Sequence, residues 1–160
     1  MPSLTAQLIR NDDCTLNQLT AELITAYQPV AYKQNSYFVN NVPEGLKLHI
    51  DKDGLATLMG SMFYIMASCS RDSCIEVSAE FYPDIILLHV KDTSTFNSYA
   101  IRSKRQSLQQ LAEKIGGNLS MSKEHPKETS ITFSFINSKA TPAIQDHLMK
   151  PMFANGFTYA

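Results

Sequence analysis

The sequence predicts an α/β (α+β) fold built as a two-layer sandwich, in which about three helices cover one face of a mixed, mainly antiparallel sheet. One observation is the stretch from Asp51 to Met66, whose apolar residues recur at helical spacing and form a single stripe. Another is a set of segments that alternate apolar and polar residues, so that each strand has one dry face. The stripe and the dry faces bury each other, which gives the two layers.

The predicted elements follow from local signals along the chain. Thr15 and Gln18 match a capping box that begins the first helix, and Pro29 is expected to bend or end this helix near Gln28. The segment 85–92 is apolar on both faces, which predicts a central strand. The other predicted elements are strands over 36–41, 46–50, 74–81, 118–123 and 129–135, a central helix ending near 69, a polar loop over 92–103 and a helix over 104–115. Gly116-Gly117 is expected to end this last helix in a left-handed cap.

We expect one domain over residues 1–136, with its core over 15–136, followed by an apolar tail over 137–160. The tail either packs back on the domain or docks on a partner, and the rarity of exposed apolar patches favours packing back. A homodimer formed through the tail and the dry surfaces is a further alternative.

The bulk properties exclude several classes of partner. A net charge of −1 does not indicate binding to nucleic acid or to an acidic membrane. No apolar run has the length of a membrane span, so we expect no membrane contact by this chain. Cys14, Cys69 and Cys74 form no C-x-x-C pair, which predicts reduced thiols in a cytoplasmic protein. Both a free-standing domain and the soluble end of a larger membrane protein fit this composition.

Three segments carry a resemblance to a known family: LNQLTAELITAYQPVAYKQNSYFVNNVPEGLKLHIDKDGL, HVKDT and LQQLAEKIGGNLSMSKEHPKETSITFSF. From Thr15 to Ile136 the chain resembles the ATP-binding domain of sensor histidine kinases, whose superfamily includes DNA gyrase, heat-shock chaperones and mismatch-repair ATPases. The resemblance implies a Bergerat-type ATPase fold and a role in bacterial two-component signal transduction.

In this family two asparagines one helical turn apart face phosphate and Mg²⁺, assisted by a polar residue one turn earlier. The resemblance places Thr57, Ser61 and Ile65 at these three positions. Ile65 cannot ligate a metal, and the Ser61 hydroxyl is a weak magnesium ligand without a neighbouring carboxylate. A shift of one residue would supply Gly60 and Tyr64, which are no better as ligands.

The family's glycine boxes are also altered. The first box is D-x-G-x-G, in which the aspartate bonds adenine. Here Asp92 is retained, while Ser94 and Phe96 replace the two glycines. Asp92 is either an adenine contact or an aspartate that caps a turn at a strand end. The second box is replaced by residues 102–105, whose basic side chains either attract phosphate or are a solvated helix start.

The residues therefore favour a degenerate histidine-kinase-like ATPase domain, a pseudokinase with no catalytic residue, no metal site and no cofactor. None of the four histidines has the setting of a phosphoacceptor. Such a domain would act as an interaction or regulatory module, with a protein partner such as the dimerisation helices of a kinase or a receiver domain. The alternative is a divergent but functional ATP-binding domain that holds ATP and Mg²⁺, with Asp92 on the adenine.

Overall fold

A computed structural model describes residues 14–93, 98–122 and 128–138, which form a sheet covered on one face by helices. The elements in chain order are α1 (Leu16–Lys33), β1 (Tyr37–Asn41), α2 (Lys52–Cys69), β2 (Cys74–Tyr82), β3 (Ile85–Asp92), α3 (Ser98–Ser103), α4 (Arg105–Lys114), β4 (Asn118–Ser122) and β5 (Thr129–Ile136). Among the described residues, no helix combines the length and the apolarity that crossing a bilayer requires.

The sheet has five strands in the order β1-β2-β3-β5-β4. β1 runs parallel to β2, and the other neighbouring pairs are antiparallel. β3 lies in the middle, as its apolar residues predict. The expectation of a mixed, mainly antiparallel sheet under a layer of helices is confirmed.

The core lies between α2 and the inner face of the sheet. The apolar stripe of α2 is fully buried, with Leu55, Leu58, Met59, Met62, Phe63 and Met66 each at 0% exposure. The strands contribute alternate residues to this core, among them Val77, Leu88, Val90, Ile131 and Phe133. The rings of Phe38 and Phe63 lie 5.1 Å apart between centroids and join β1 to α2. Burial of each such side chain contributes about 2 kcal/mol of stability.

The start of α1 is as predicted. The expected end near Gln28 is wrong, and the alternative of a bend there remains a prediction. The Gln18 amide donates to Thr15 Oγ1 at 3.2 Å, and the Thr15 amide donates to Gln18 Oε1 at 3.0 Å, which completes the capping box. α1 continues through Pro29 to Lys33. Pro29 removes one helical hydrogen bond, but the following turn buries Ala31 completely, and this packing holds the helix together.

Residues 46–50 were predicted as a strand, but the structure shows a single bridge between Thr15 and Lys47 there. In place of a neighbouring strand, the Asn137 side chain pairs with this backbone. Its Nδ2 donates to the Lys47 carbonyl at 2.8 Å, and its Oδ1 accepts from the His49 amide at 2.7 Å. The apolar alternation that predicted a strand reflects Leu48, which is buried in the core.

The predicted polar loop over 92–103 contains a short helix, α3, and this part of the prediction is wrong. Ile101 is fully buried and anchors the helix, but the few apolar residues of this polar segment show no readable period. Residues 1–13 and the predicted tail beyond residue 138 lie outside the described residues. The domain bounds and the contacts of the tail therefore remain predictions.

The Gly116-Gly117 end of α4 is confirmed as a left-handed cap. Gly116 has a φ of +83°. Its amide donates to the Glu113 carbonyl at 3.0 Å, and the Gly117 amide donates to the Ala112 carbonyl at 3.0 Å. These two bonds form a Schellman motif. A side chain at Gly117 would meet the ring of Phe133 and lie 2.6 Å from the Ser134 carbonyl oxygen, so the chain needs glycine here for close packing.

We predict that Gly117→Ala lowers the free energy of unfolding by about 3 kcal/mol, because the backbone of α4 must move away from β5. The control is Gly116→Ala, where a Cβ meets open space and only the positive φ is strained, at about 1 kcal/mol. Urea denaturation followed by circular dichroism measures both. Equal losses in the two variants would contradict the close packing of Gly117.

Candidate functional site

A cleft of about 660 Å³ lies beside α2, between α1 and α4. α1 contributes one aromatic side chain, α2 contributes successive turns of its polar face, and α4 contributes its first two turns. The described lining residues are Tyr27, Ala56, Thr57, Gly60, Ser61, Tyr64, Ile65, Lys104, Ser107, Leu108 and Leu111. The volume is within the range of ligand-binding pockets, about 300–1,000 Å³.

The three residues that the resemblance places at the asparagine-box positions all line this cleft. Thr57, Ser61 and Ile65 follow one another at one-turn intervals on α2. The Thr57 hydroxyl donates to the Asp53 carbonyl at 2.9 Å, so its proton is engaged within the helix. Gly60 and Tyr64, which a one-residue shift would supply, line the same cleft. The structure therefore brings these candidate positions together.

The chemistry of the lining does not fit a magnesium ion bound to nucleotide. Magnesium is held in proteins by carboxylates, amide oxygens and water. None of the described lining residues is acidic or carries a side-chain amide, and Ile65 presents only hydrocarbon. In the part of the chain that the structure describes, no group of three or more His, Cys, Asp or Glu side chains is placed to hold a metal.

Asp92 lies at the end of β3 with 0% exposure and is not among the described lining residues of the cleft. Its Oδ1 accepts a hydrogen bond from Ser73 Oγ at 2.6 Å. The Ser70 and Ser73 hydroxyls are 2.6 Å apart, and those of Ser36 and Ser70 are 2.8 Å apart. We call Ser36, Ser70, Ser73 and Asp92 the serine network; it joins the segments before β1, after α2 and before β2 to the end of β3.

Sequence reasoning identified Asp92 but missed its serine partners. Ser70 and Ser73 stand in a short polar segment between α2 and β2, which is typical of a solvated loop. Both are nevertheless buried, because the segment turns inward beneath the end of β3. No periodicity distinguishes such a hydroxyl from an exposed one. The adenine contact of Asp92 remains a prediction.

The remaining predicted site residues fall in three places. Ser94 and Phe96 lie outside the described residues. Lys104 lines the cleft, whereas Arg102 and Arg105 line a separate concave region of about 540 Å³ on the other side of α4. The basic group at the start of α4 is therefore divided, and only its lysine points toward the asparagine-box positions.

The pKa of the Cys69 thiol, at the end of α2, depends on charged groups of both the serine network and the cleft. Burial raises its pKa, the neighbouring Asp92 raises it further, and Lys104 lowers it. All three cysteines are free thiols, in agreement with the sequence.

No protein-family model matches the sequence, and no curated protein matches it. Solved structures of histidine kinases do match. AdeS of Acinetobacter baumannii aligns with a TM-score of 0.63 and 8% identity over 76% of this chain and 64% of that chain. The nucleotide-free catalytic domain of ThkA aligns with a TM-score of 0.61 and 13% identity over 78% of this chain and 94% of that chain.

ThkA in complex with the response regulator TrrA aligns with a TM-score of 0.63 and 12% identity over 79% of this chain and 41% of that chain. The chain thus spans less than two thirds of AdeS and of ThkA in this complex, but nearly all of the isolated ThkA catalytic domain. At these identities the likeness concerns the fold. The chain has the ATPase fold of histidine kinase catalytic domains, as its sequence resemblance implies.

We predict that Ser73→Ala lowers the free energy of unfolding by about 2 kcal/mol, because a buried carboxyl loses a hydrogen-bond donor. The control is Ser78→Ala, which removes the hydroxyl of a half-buried serine on β2. This substitution is expected to lower the free energy of unfolding by less than about 0.5 kcal/mol. Urea denaturation measures both, and a similar small loss in the two variants would contradict the serine network.

We also predict that Lys104→Met raises the pKa of Cys69, since a cation that favours the thiolate is removed. The pH dependence of Cys69 alkylation, followed by mass spectrometry, should move to higher pH. Lys114→Met, at the other end of α4, serves as the control and should leave the profile in place. An unchanged profile in Lys104→Met would show that this ammonium does not act on Cys69.

Proposed function

We propose that this chain is a two-component-type kinase-like domain that does not transfer phosphate and acts as an interaction or regulatory module. The observation that carries the proposal is the position of Ile65 beside Ser61 and Thr57 in the cleft. The resemblance places a magnesium and phosphate site there, and an isoleucine with two hydroxyls is a poor substitute for amide ligands.

The preserved core supports a domain that is folded for some use. The stripe of α2 and most of the inner face of the sheet are buried, while Thr57, Ser61 and Ile65, which differ from the ligands that the family has at these positions, line the cleft. Random sequence change would reach buried positions as well as the cleft. Each large-to-small change in the core costs about 2–5 kcal/mol of stability, so a chain altered at random would not keep this core.

The likeness to solved histidine kinases supports a protein partner, which we expect to come from a two-component system. ThkA, which shares this fold, was solved in complex with a response regulator. By analogy, the partner of this chain is a receiver domain or the dimerisation helices of a kinase, to which the chain presents itself in place of a catalytic domain. A homodimer is the alternative, and light scattering with and without residues 140–160 distinguishes a self-associating tail from a monomer.

A second candidate is a divergent nucleotide-binding domain, and Lys104 in the cleft is the observation that favours it. In this alternative the lysine neutralises part of the phosphate charge and Asp92 bonds adenine. Because Asp92 is fully buried, adenine would have to reach it by a local rearrangement.

Calorimetric titration of the purified chain with ATP and with ADP, each with and without Mg²⁺, tests the proposal. We expect no heat of binding up to millimolar nucleotide from a protein that unfolds cooperatively in urea. Binding near 1 μM, about −8 kcal/mol, would contradict the proposal. If such binding required Mg²⁺ and disappeared in a folded Asp92→Asn variant, the divergent nucleotide-binding domain would be the correct alternative.

A further inference from the structure

The cleft combines apolar walls with hydroxyl groups and one cation, a composition that differs from a magnesium–nucleotide site. Ala56, Ile65, Leu108 and Leu111 supply hydrocarbon from α2 and α4. The exposed lining is about half apolar and half polar, and apolar walls beside a few placed polar groups are the usual environment of a small organic ligand.

Two tyrosines form the wall at the α1 side of the cleft. The ring centroids of Tyr27 and Tyr64 lie 6.4 Å apart. The ring planes make an angle of 66°, which is an edge-to-face arrangement. Gly60 leaves room for this arrangement, because the Tyr27 hydroxyl oxygen lies 3.0 Å from the place of a Cβ at Gly60. The pair presents flat aromatic surface together with two phenol groups, which suits a ligand with an aromatic body.

The charge of the lining residues indicates that the ligand is an anion. Lys104 is the only charged residue among the described lining residues, and it forms no ion pair with a residue that the structure describes. It stands immediately before α4, whose N-terminus adds to the positive potential. One lysine balances one carboxylate, but it leaves most of the charge of a nucleoside triphosphate without a partner.

We propose that this cleft binds a small organic acid with an aromatic body and one carboxylate, and that it does so without a metal. The carboxylate pairs with the Lys104 ammonium and accepts hydrogen bonds from the Ser61 and Ser107 hydroxyls. The aromatic body packs against Tyr27 and the aliphatic wall. This inference rests on the proposed function, since it gives the cleft of a non-catalytic domain a ligand that regulates it.

Naphthoate and the neutral naphthylmethanol are matched probes for the test. Each is titrated into the isotope-labelled full chain, and backbone amide shifts are followed by NMR. We expect naphthoate to shift the amides of 56–65 and 104–111 and to bind about tenfold tighter than naphthylmethanol, because only naphthoate pairs with the lysine. Equal affinities for the two probes, shifts confined to another surface, or no shifts from the folded protein would each overturn the proposal.

Two pairs of variants separate the charge from the shape of the cleft. Lys104→Met should weaken naphthoate about tenfold and leave naphthylmethanol unchanged, while Lys114→Met should affect neither probe. Ser61→Leu fills the cleft and should abolish binding of both probes. Its control is Ser68→Leu, the same change at an exposed position of α2 outside the cleft. Unchanged naphthoate affinity in Lys104→Met, or in a folded Ser61→Leu variant, would overturn the assignment.

A parallel titration with ATP and Mg²⁺ keeps the two proposals distinguishable. Tight magnesium-dependent binding of ATP contradicts the proposed function, whatever naphthoate does. Failure of naphthoate in a protein that also ignores ATP contradicts only the assignment of an organic acid to the cleft.

Discussion

The structure depends on burial of the α2 stripe against the inner face of the sheet. A helix with one apolar face must cover it, and the alternating strands offer the one surface of matching extent. Once the stripe faces the sheet, the rotation of α2 is fixed, and its polar face lies outward between α1 and α4. The cleft is therefore a consequence of the same helix that makes the core, and the cleft residues alternate along α2 with residues that cannot change without loss of stability.

This arrangement lets the core and the cleft respond differently to sequence change. A large-to-small substitution in the buried stripe lowers the free energy of unfolding by about 2–5 kcal/mol, which is a large fraction of the stability of a domain of this size. A substitution at an exposed or half-buried cleft position costs little stability, so its residue type reports on ligand chemistry. Ile65 and Lys104 are informative for this reason. Asp92 is different, since it is fully buried in the serine network, where its carboxylate accepts a hydrogen bond from Ser73.

The sequence predicted the parts of the fold that repeat. The α2 stripe, the alternating strands, the Thr15 capping box and the Gly116 turn each follow from a local rule and were confirmed. The errors arose where one distant contact overrides the local signal: buried Ala31 stabilises a helix through Pro29, and Asn137 takes the place of a strand partner for residues 46–50. At the site, Thr57, Ser61 and Ile65 line one cleft, and their roles toward a nucleotide remain predictions. The buried serines and the separation of Lys104 from its neighbouring arginines depend on tertiary packing, which no local pattern records.

We propose that the chain has the histidine kinase ATPase fold and that its cleft does not accept magnesium nucleotide. Thermal unfolding of the full chain, with and without millimolar ATP and Mg²⁺, tests both parts in one measurement. We expect one cooperative transition whose midpoint does not change with nucleotide. A ligand present at a hundred times its dissociation constant stabilises the folded state by about 2.7 kcal/mol. A midpoint that rises by several degrees only when ATP and Mg²⁺ are both present would show that the cleft binds magnesium nucleotide.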